Sequence, residues 1–465
     1  MINRRNLLKG AGAALCGPLL PGAPAASKPN ILIITTDQQF ADAASYRIGT
    51  RYIHTPNIDS LAANGTVFAR AYCANPLCVP SRTSMYTGRY PTETGVMTND
   101  DRTEVPLDPR KFPIMGKVFQ DAGYRTAYFG KWHIAFPEQQ AAIHGFAAPE
   151  AKQDDPTTSS QAAKFLRGKH DAPFLMVASL LNPHNICEWA RGQELPLGDI
   201  GHPPPVDQCP PIRPNHEPQA NEPDIVALMR KSYQSSPMFP VSNFDEKKWR
   251  EYLWAYYRLI EKVDREIGVV LQALRETGLD KNTLVVFTAD HGDCQGSHRW
   301  NQKTILYEEA ARVPLVLSYP GVVKHGTCIN LVNTGIDLIP TLCDYAGIPT
   351  PTGLHGLSLK GSANRACSSL WRDYVVVSDR LIQGAPVDGR QPTPDGRMLR
   401  GERYKYCAFS EGQHRESLVD LEKDPGEMTN LAPDPRFAKL LNEHRAMLSD
   451  WCQKTHDTFS VPGQI

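Results

Sequence analysis

The sequence predicts an α/β fold: a large mixed, mostly parallel sheet sandwiched by helices, followed by a small C-terminal α+β subdomain. Three observations carry this. Four apolar runs, residues 31–36, 126–130, 174–180 and 283–289, are nearly unbroken, as strands buried on both faces are. Stretches with helical apolar spacing lie between them, above all residues 245–277. Beyond about residue 362 the pattern changes to short strand-like segments.

The elements follow in order along 465 residues, a length that supports one large core and a smaller one. Residues 1–26 read as an export signal. Asn3-Arg4-Arg5-Asn6-Leu7-Leu8-Lys9 is a twin-arginine pattern, a mildly apolar stretch follows, and small residues surround Ala23-Pro24-Ala25-Ala26. The stretch is too short and too broken by Gly and Pro to span a membrane. Leu15 is bulkier than a lipoprotein site at Cys16 prefers. The implication is a protein exported to the periplasm or the exterior. Residues 27–361 make the main α/β unit. After the first strand, a helix opens at Thr55-Pro56 and closes near Asn64-Gly65; another over 117–122, stopped by Gly123, precedes the second strand. Residues 186–240 are dense in proline, lack usable periodicity and directly follow His184. They are expected to be an irregular insertion that walls a pocket. The long helix over 245–277 sets Trp249, Leu253, Tyr256, Ile260, Val263 and Ile267 on one face, with Gly278 as its stop. After the apolar run 313–317, a helix starts around Asp337. The C-terminal part, 362–465, holds strands at 374–378 and 403–406 and an amphipathic helix ending near Cys452.

Composition excludes some classes. With 50 basic and 50 acidic residues, nothing in the balance points to nucleic acid. The 11 cysteines are odd in number and lack a repeated CxxC spacing, which speaks against a zinc ribbon or a dense disulfide framework. One or two disulfides remain open.

Each of the four apolar runs leads into polar residues with useful chemistry: Asp37-Gln38-Gln39, Lys131-Trp132-His133, Asn182-Pro183-His184 and Asp290-His291-Gly292-Asp293. In open α/β sheets, ligands bind beyond the carboxyl ends of the strands, so these clusters should gather along one edge. Asp37 and Asp290 would there repel unless protonated or bridged by a cation. Oxygen donors without a thiolate pair favour calcium or magnesium over zinc. Alternate residues of an extended segment share a side, so Lys131 and His133 both enter the pocket while Trp132 faces away. Lys303 follows in Asn301-Gln302-Lys303.

Residues 76–89 place a cysteine at the mouth of a short helix. Pro80 suits the first turn and Gly88 the end. Cys78 then sits where free N–H groups and the helix dipole favour an anion, with Arg82 one turn on along the same face.

Cys78-Val79-Pro80-Ser81-Arg82, followed by Thr87-Gly88-Arg89, resembles the signature of the type I sulfatases, members of the alkaline-phosphatase-like superfamily. The resemblance runs from about Pro29 to Ala432, where Asp420-Leu421, Asp424-Pro425, Glu427 and Asn430-Leu431 are similar to the family's closing element. It implies that a formylglycine-generating maturation enzyme oxidises Cys78 to formylglycine, whose aldehyde hydrate is the nucleophile, with Arg82 as its stabilising neighbour. It implies one calcium ion (Ca2+) held by Asp37, Gln38, Asp290 and His291, Gln38 standing where many members carry a second aspartate. By the same resemblance Lys131 and Lys303 clamp sulfate oxygens, His133 handles the hydrate's second proton, and His184 with Lys303 serves the leaving oxygen. The implied activity is hydrolysis of a sulfuric ester on a sulfated small molecule or glycan. Exported relatives most often act on carbohydrate, which His298, Arg299 and Trp300 are placed to meet. The other readings are a phosphonate or phosphodiester hydrolase of the same superfamily, and an inactive sulfated-glycan-binding relative. Intact Cys78, Arg82, Lys131 and Asp290 count against the inactive one.

Overall fold

A computed structural model describes residues 28–100, 108, 111–150, 152–367 and 371–463. The predicted export signal, with Cys16, lies outside them. The large sheet has eight strands: β1 (Asn30–Asp37), β2 (Thr66–Tyr72), β3 (Arg125–Gly130), β4 (Ala147–Glu150), β5 (Phe174–Pro183), β6 (Thr283–Ala289), β7 (Leu315–Ser318) and β8 (Gly326–Asn333). Their spatial order is β4-β3-β5-β1-β6-β7-β2-β8, and among them only β7 runs against its neighbours. The predicted α/β architecture with a mostly parallel sheet is therefore what the chain forms.

Strand periodicity divides the interior into two cores. Ile31, Ile33, Leu175, Val177, Leu284 and Val286 face one side, against helices Cys78–Thr87, Met115–Asp121 and Thr334–Ala346. Their neighbours Leu32, Ile34, Met176, Ala178, Val285 and Phe287 face the other, against helices Pro56–Ala63, Asp155–Leu166 and Glu246–Glu276. Parallel registers Ile31↔Leu175 and Ile31↔Leu284 keep these layers aligned across β5, β1 and β6. Burying both faces explains why these strands read as nearly unbroken apolar runs.

The long helix Glu246–Glu276 begins where Asp245 accepts a hydrogen bond from the Lys248 N–H (2.8 Å), and Gly278, at φ 70°, follows its end. Its last turns pack under the sheet. Its first turns carry Trp249, Tyr252 and Tyr256 beyond the sheet edge, against Phe40, Ile186 and Val241.

Residues 186–240 are less irregular than the sequence suggested. They contain helices Ile186–Ala190 and Asp224–Gln234. In the second, Ile225, Val226, Met229 and Tyr233 are buried at helical spacing. The prolines that flank this helix hide a pattern only three turns long. Its apolar face packs on the C-terminal sheet.

That sheet is antiparallel, in the order β12 (Glu416–Asp420), β11 (Tyr404–Phe409), β10 (Asp395–Gly401), β9 (Tyr374–Arg380). β10 was not foreseen, because Arg397 and Arg400 interrupt its apolar pattern. Both arginines are paired in the fold, Arg397 with Asp457 (2.6 Å) and Arg400 with the Tyr72 hydroxyl (2.9 Å). One face of the sheet (Val375, Val377, Met398) meets helix Asp224–Gln234, and the other (Val376, Leu399, Tyr406) meets helix Ala438–Thr455. Cys328 and Cys367 form a disulfide, and the other described cysteines are free and buried.

Candidate active site

β3, β5, β1 and β6 are consecutive neighbours, so their polar carboxyl ends lie side by side. Gly130 makes the first close approach possible: it takes φ 92°, and a Cβ there would stand 2.0 Å from the Ser179 carbonyl oxygen. Gly292 has the same role after β6, where a Cβ would meet the Glu309 carbonyl at 1.9 Å. Gln38 (φ 67°) and His133 (φ 46°) take the left-handed conformation just past β1 and β3. Such residues persist where their surroundings hold them, and they concentrate at functional sites.

Cys78 is the first residue of helix Cys78–Thr87, after extended Leu77, and Gly88 (φ 68°) caps the other end. At the mouth of this helix, as the sequence suggested, Cys78 is only 1% exposed. The helix packs against helix Thr334–Ala346 and carries its first turn down onto the sheet edge, with the Ser81 hydroxyl donating to the Asp290 carbonyl.

Arg82 organises the floor of the site. Its guanidinium donates to Asp37 Oδ2 (3.0 Å), Asp290 Oδ2 (2.8 Å), Ser179 Oγ (2.8 Å) and the Lys131 carbonyl (3.2 Å). Lys131 Nζ lies 2.7 Å from the same Asp37 oxygen. Lys303 Nζ donates to Cys78 Sγ (3.1 Å), and His291 Nε2 is 3.2 Å from that sulfur. The structure thus brings Asp37, Cys78, Arg82, Lys131, Asp290, His291 and Lys303 together. His133 and His184 are each coupled electrostatically to Cys78. Gln38 is held at both ends of its amide: its Oε1 accepts from Lys303 (2.9 Å) and its Nε2 donates to Asp293 (2.8 Å).

Electrostatics divide these groups. Burial and the Cys78 charge push Asp37 up, but Lys131, His184 and Arg82 outweigh them and hold it well below the usual carboxylate range. Asp290 is raised, by burial and by the Asp37 charge beside it. Burial would raise the Cys78 thiol, yet Lys131, Lys303 and His291 bring it well below the usual thiol range, so this position favours negative charge. Burial with Lys131 and Lys303 lowers His184 to about 4, and burial lowers His133 as well.

A hard divalent cation fits here. Donor atoms of Asp37, Cys78, Asp290 and His291 all lie within 4.8 Å of one another. Two buried carboxylates face each other, the arrangement a cation relieves. His291 Nδ1 donates to the Gly292 carbonyl (2.9 Å) and its Nε2 faces the two acids, where the Asp290 charge raises the ring against burial; a cation bound between the acids would take the place of the proton on Nε2.

Two residues depart from expectation. His298 is fully buried and stacked on Tyr307 (3.9 Å), and Trp300 is packed beside Tyr233, so neither lines a sugar pocket. Arg299 is exposed and pairs with Glu217. Sequence reasoning also missed residues. Ser179, Asp293, Tyr252 and Tyr256 all bond to site groups. Asp293 was visible in its motif, two positions after His291, whereas the tyrosines read only as core positions of a long helix.

A sulfatase family model matches residues 29–348, and the model for the C-terminal region of N-sulphoglucosamine sulphohydrolase matches residues 296–454. The chain is 33% identical over 464 residues to Delta 4,5-hexuronate-2-O-sulfatase of Bacteroides thetaiotaomicron, covering 96% of this chain and 93% of that protein. It is 29% identical to ulvan-active sulfatase of Formosa agariphila, covering 93% and 83%. The solved structure of a 2-O GAG sulfatase matches with a TM-score of 0.79 at 30% identity, over 94% of this chain and 95% of that one. A phosphonate monoester hydrolase of Agrobacterium radiobacter shares the fold (TM-score 0.71, 22% identity, 92% and 96% covered), so the architecture alone does not select the ester. The sulfatase match takes in the whole large sheet, β1 to β8, and the helix after it, and the relatives align over nearly the full chain: this protein belongs to the sulfatase family of the alkaline-phosphatase-like superfamily and is a sulfuric ester hydrolase.

Proposed function

We propose that this sulfatase removes sulfate from a sulfated carbohydrate, outside the cytoplasm, using a formylglycine at position 78 and one calcium ion. The observation that carries the reading is the position of the Cys78 side chain, on the first turn of a helix and within 3.1 Å of Lys303 Nζ and 3.2 Å of His291 Nε2.

Formylglycine at this position supplies a hydrated aldehyde, one hydroxyl to attack sulfur and a second to release the sulfate. Calcium, held by Asp37, Asp290 and His291, supplies charge neutralisation for the sulfate oxygens. Gln38, its carbonyl oxygen engaged by Lys303, is assigned to hydrogen bonding rather than to the ion. The chain's own groups do the rest. Arg82 locks the two carboxylates in place through hydrogen bonds that need no rearrangement when charge develops. Lys131 and Lys303 place two ammonium groups against the anion. His133, kept neutral by burial, accepts a hydroxyl proton from position 78. His184, held neutral by burial beside Lys131 and Lys303, gains affinity for a proton when an anion offsets those charges and serves the leaving oxygen with Lys303.

Sulfate is favoured over other esters by the relatives, which are sulfatases aligned over nearly the full chain. Gln38 in place of an acid would make the pocket more positive, but Asp293 lies 2.8 Å from its amide and supplies the missing carboxylate. Burial raises Asp293 to about 6, against the hydrogen bonds it accepts from Gln38, the Gln295 N–H and Tyr252. The relatives that act on hexuronate and ulvan support a sugar substrate. Export is supported by the twin-arginine pattern and the Cys328–Cys367 disulfide. Among the described residues, no helix is long and apolar enough to cross a membrane.

The test is release of inorganic sulfate from a panel of defined sulfated sugars, with matched aryl sulfate, phosphate and phosphonate esters alongside. The highest kcat/KM is expected for a sulfated sugar. A phosphonate or phosphodiester turned over faster than every sulfate would overturn the assignment.

A further inference from the structure

We propose that Asp293 is a positioning residue for this reaction, acting on Lys303 through the side chain of Gln38. Gln38 is fully buried, so both ends of its amide must find partners inside the protein. At one end Nε2 donates to Asp293 Oδ2 (2.8 Å). At the other Oε1 accepts from Lys303 Nζ (2.9 Å), which also donates to Cys78 Sγ (3.1 Å). The amide's orientation is assigned from these partners. Reversed, an NH2 group would face an ammonium and a carbonyl would face a carboxylate. Asp293 Oδ2 takes the Gln38 N–H at one end and the Lys303 ammonium, a donor only, takes Oε1 at the other, and together they set which way Gln38 points. That orientation in turn gives Lys303 its acceptor. With two of its three N–H groups so engaged, the ammonium keeps one for the substrate.

The relay is anchored on the long helix. The Tyr252 hydroxyl meets both Asp293 oxygens (3.2 and 3.1 Å), and the Gln295 N–H donates to Oδ1 (2.8 Å). One turn on, Tyr256 donates to the Gln38 carbonyl oxygen (2.7 Å). Gln38, Asp293, Tyr252 and Tyr256 are 0% exposed and Lys303 is 3% exposed, so water does not substitute for any of these bonds. The inference rests on the assignment of Lys303 to the leaving oxygen.

The experiment compares p-nitrophenyl sulfate, whose leaving group needs no proton, with phenyl sulfate, whose leaving group does. Gln38→Glu sets two carboxylates against each other. At about pH 8, where sharing a proton is disfavoured, kcat on phenyl sulfate is expected to fall at least tenfold, and on p-nitrophenyl sulfate by less than about threefold. KM should stay within about twofold on both. Adding Asp293→Asn should restore phenyl sulfate turnover to within about threefold of wild type. The new amide then donates to the new carboxylate, whose other oxygen still accepts from Lys303. Gln38→Met, which adds no charge, should show the same split between esters but no rescue by Asp293→Asn, and it serves if Gln38→Glu does not fold. A Gln38→Glu enzyme as fast as wild type on phenyl sulfate, or a double variant no better than the single one, overturns the relay. Lys303→Ala separates the two levels: equal losses on both esters would remove the leaving-oxygen assignment itself, and the relay with it.

Discussion

Arg82→Met tests the electrostatic floor of the site. The substitution keeps most of the side-chain volume and removes a fully buried charge with four hydrogen bonds, two of them to Asp37 and Asp290. What remains beside those acids is Lys131, 2.7 Å from Asp37, and His291, 3.7 Å from Asp290. Breaking a buried ion pair by removing one partner costs about 3–5 kcal/mol. A chain of 465 residues unfolds with an entropy of about 1 kcal/mol per degree, at roughly 2.1 cal/mol/K per residue. The expected fall in Tm is therefore about 3–5 °C in the presence of a chelator. Excess calcium should reduce the difference, because a cation bound to the native acids stabilises the protein by mass action and replaces part of the lost neutralisation. Differential scanning calorimetry of both proteins, with chelator and with calcium, reads this directly. A variant within about 1 °C of wild type under chelation would show that Asp37 and Asp290 do not depend on Arg82, and the account of the site given above would be wrong.

When the protein is produced with a competent maturation system, mass spectrometry of the peptide spanning Cys78 should show the aldehyde in place of the thiol. Unmodified cysteine in fully active protein would refute the proposed nucleophile. Asp290→Ala removes a partner of Arg82 and an acceptor for the Gln38 and His291 N–H groups. Turnover should drop by about three powers of ten, on the order of 4 kcal/mol, and calcium titration calorimetry should lose its signal. Undiminished calcium binding would place the ion elsewhere. Asp379, fully buried with no side-chain partner among the described residues, is raised by burial from 3.8 to about 8. Its native pKa lies above its unfolded one, so its contribution is whole below about pH 4 and is lost as pH rises through about 8. Asp379→Asn should therefore raise Tm by about 2 °C or more at pH 9 while changing it little at pH 4; an equal shift at both would refute the buried-acid account.

The sequence by itself determined a good deal. Runs such as 31–36 and 283–289 are nearly unbroken because both faces of a central parallel strand are buried, so composition alone announced strands and their polar ends. The long helix was legible within a residue at each end, since a capping Asp245 and a left-handed Gly278 are local chemistry. Cys78, Pro80 and Gly88 marked their short helix for the same reason. Tertiary structure decided what local periodicity cannot carry. That β3, β5, β1 and β6 are adjacent follows from the order in which crossovers fill the sheet, and only this order lets Arg82 reach Asp37 and Asp290, 45 and 208 positions away. The same holds for Cys328 with Cys367, and for His298 and Trp300, which read as pocket residues and fold inward. Gln38 shows the limit most clearly. Its identity was plain and its position in the motif suggested a cation ligand, but nothing local shows that its buried amide also meets Asp293 and Lys303, 255 and 265 residues further along the chain.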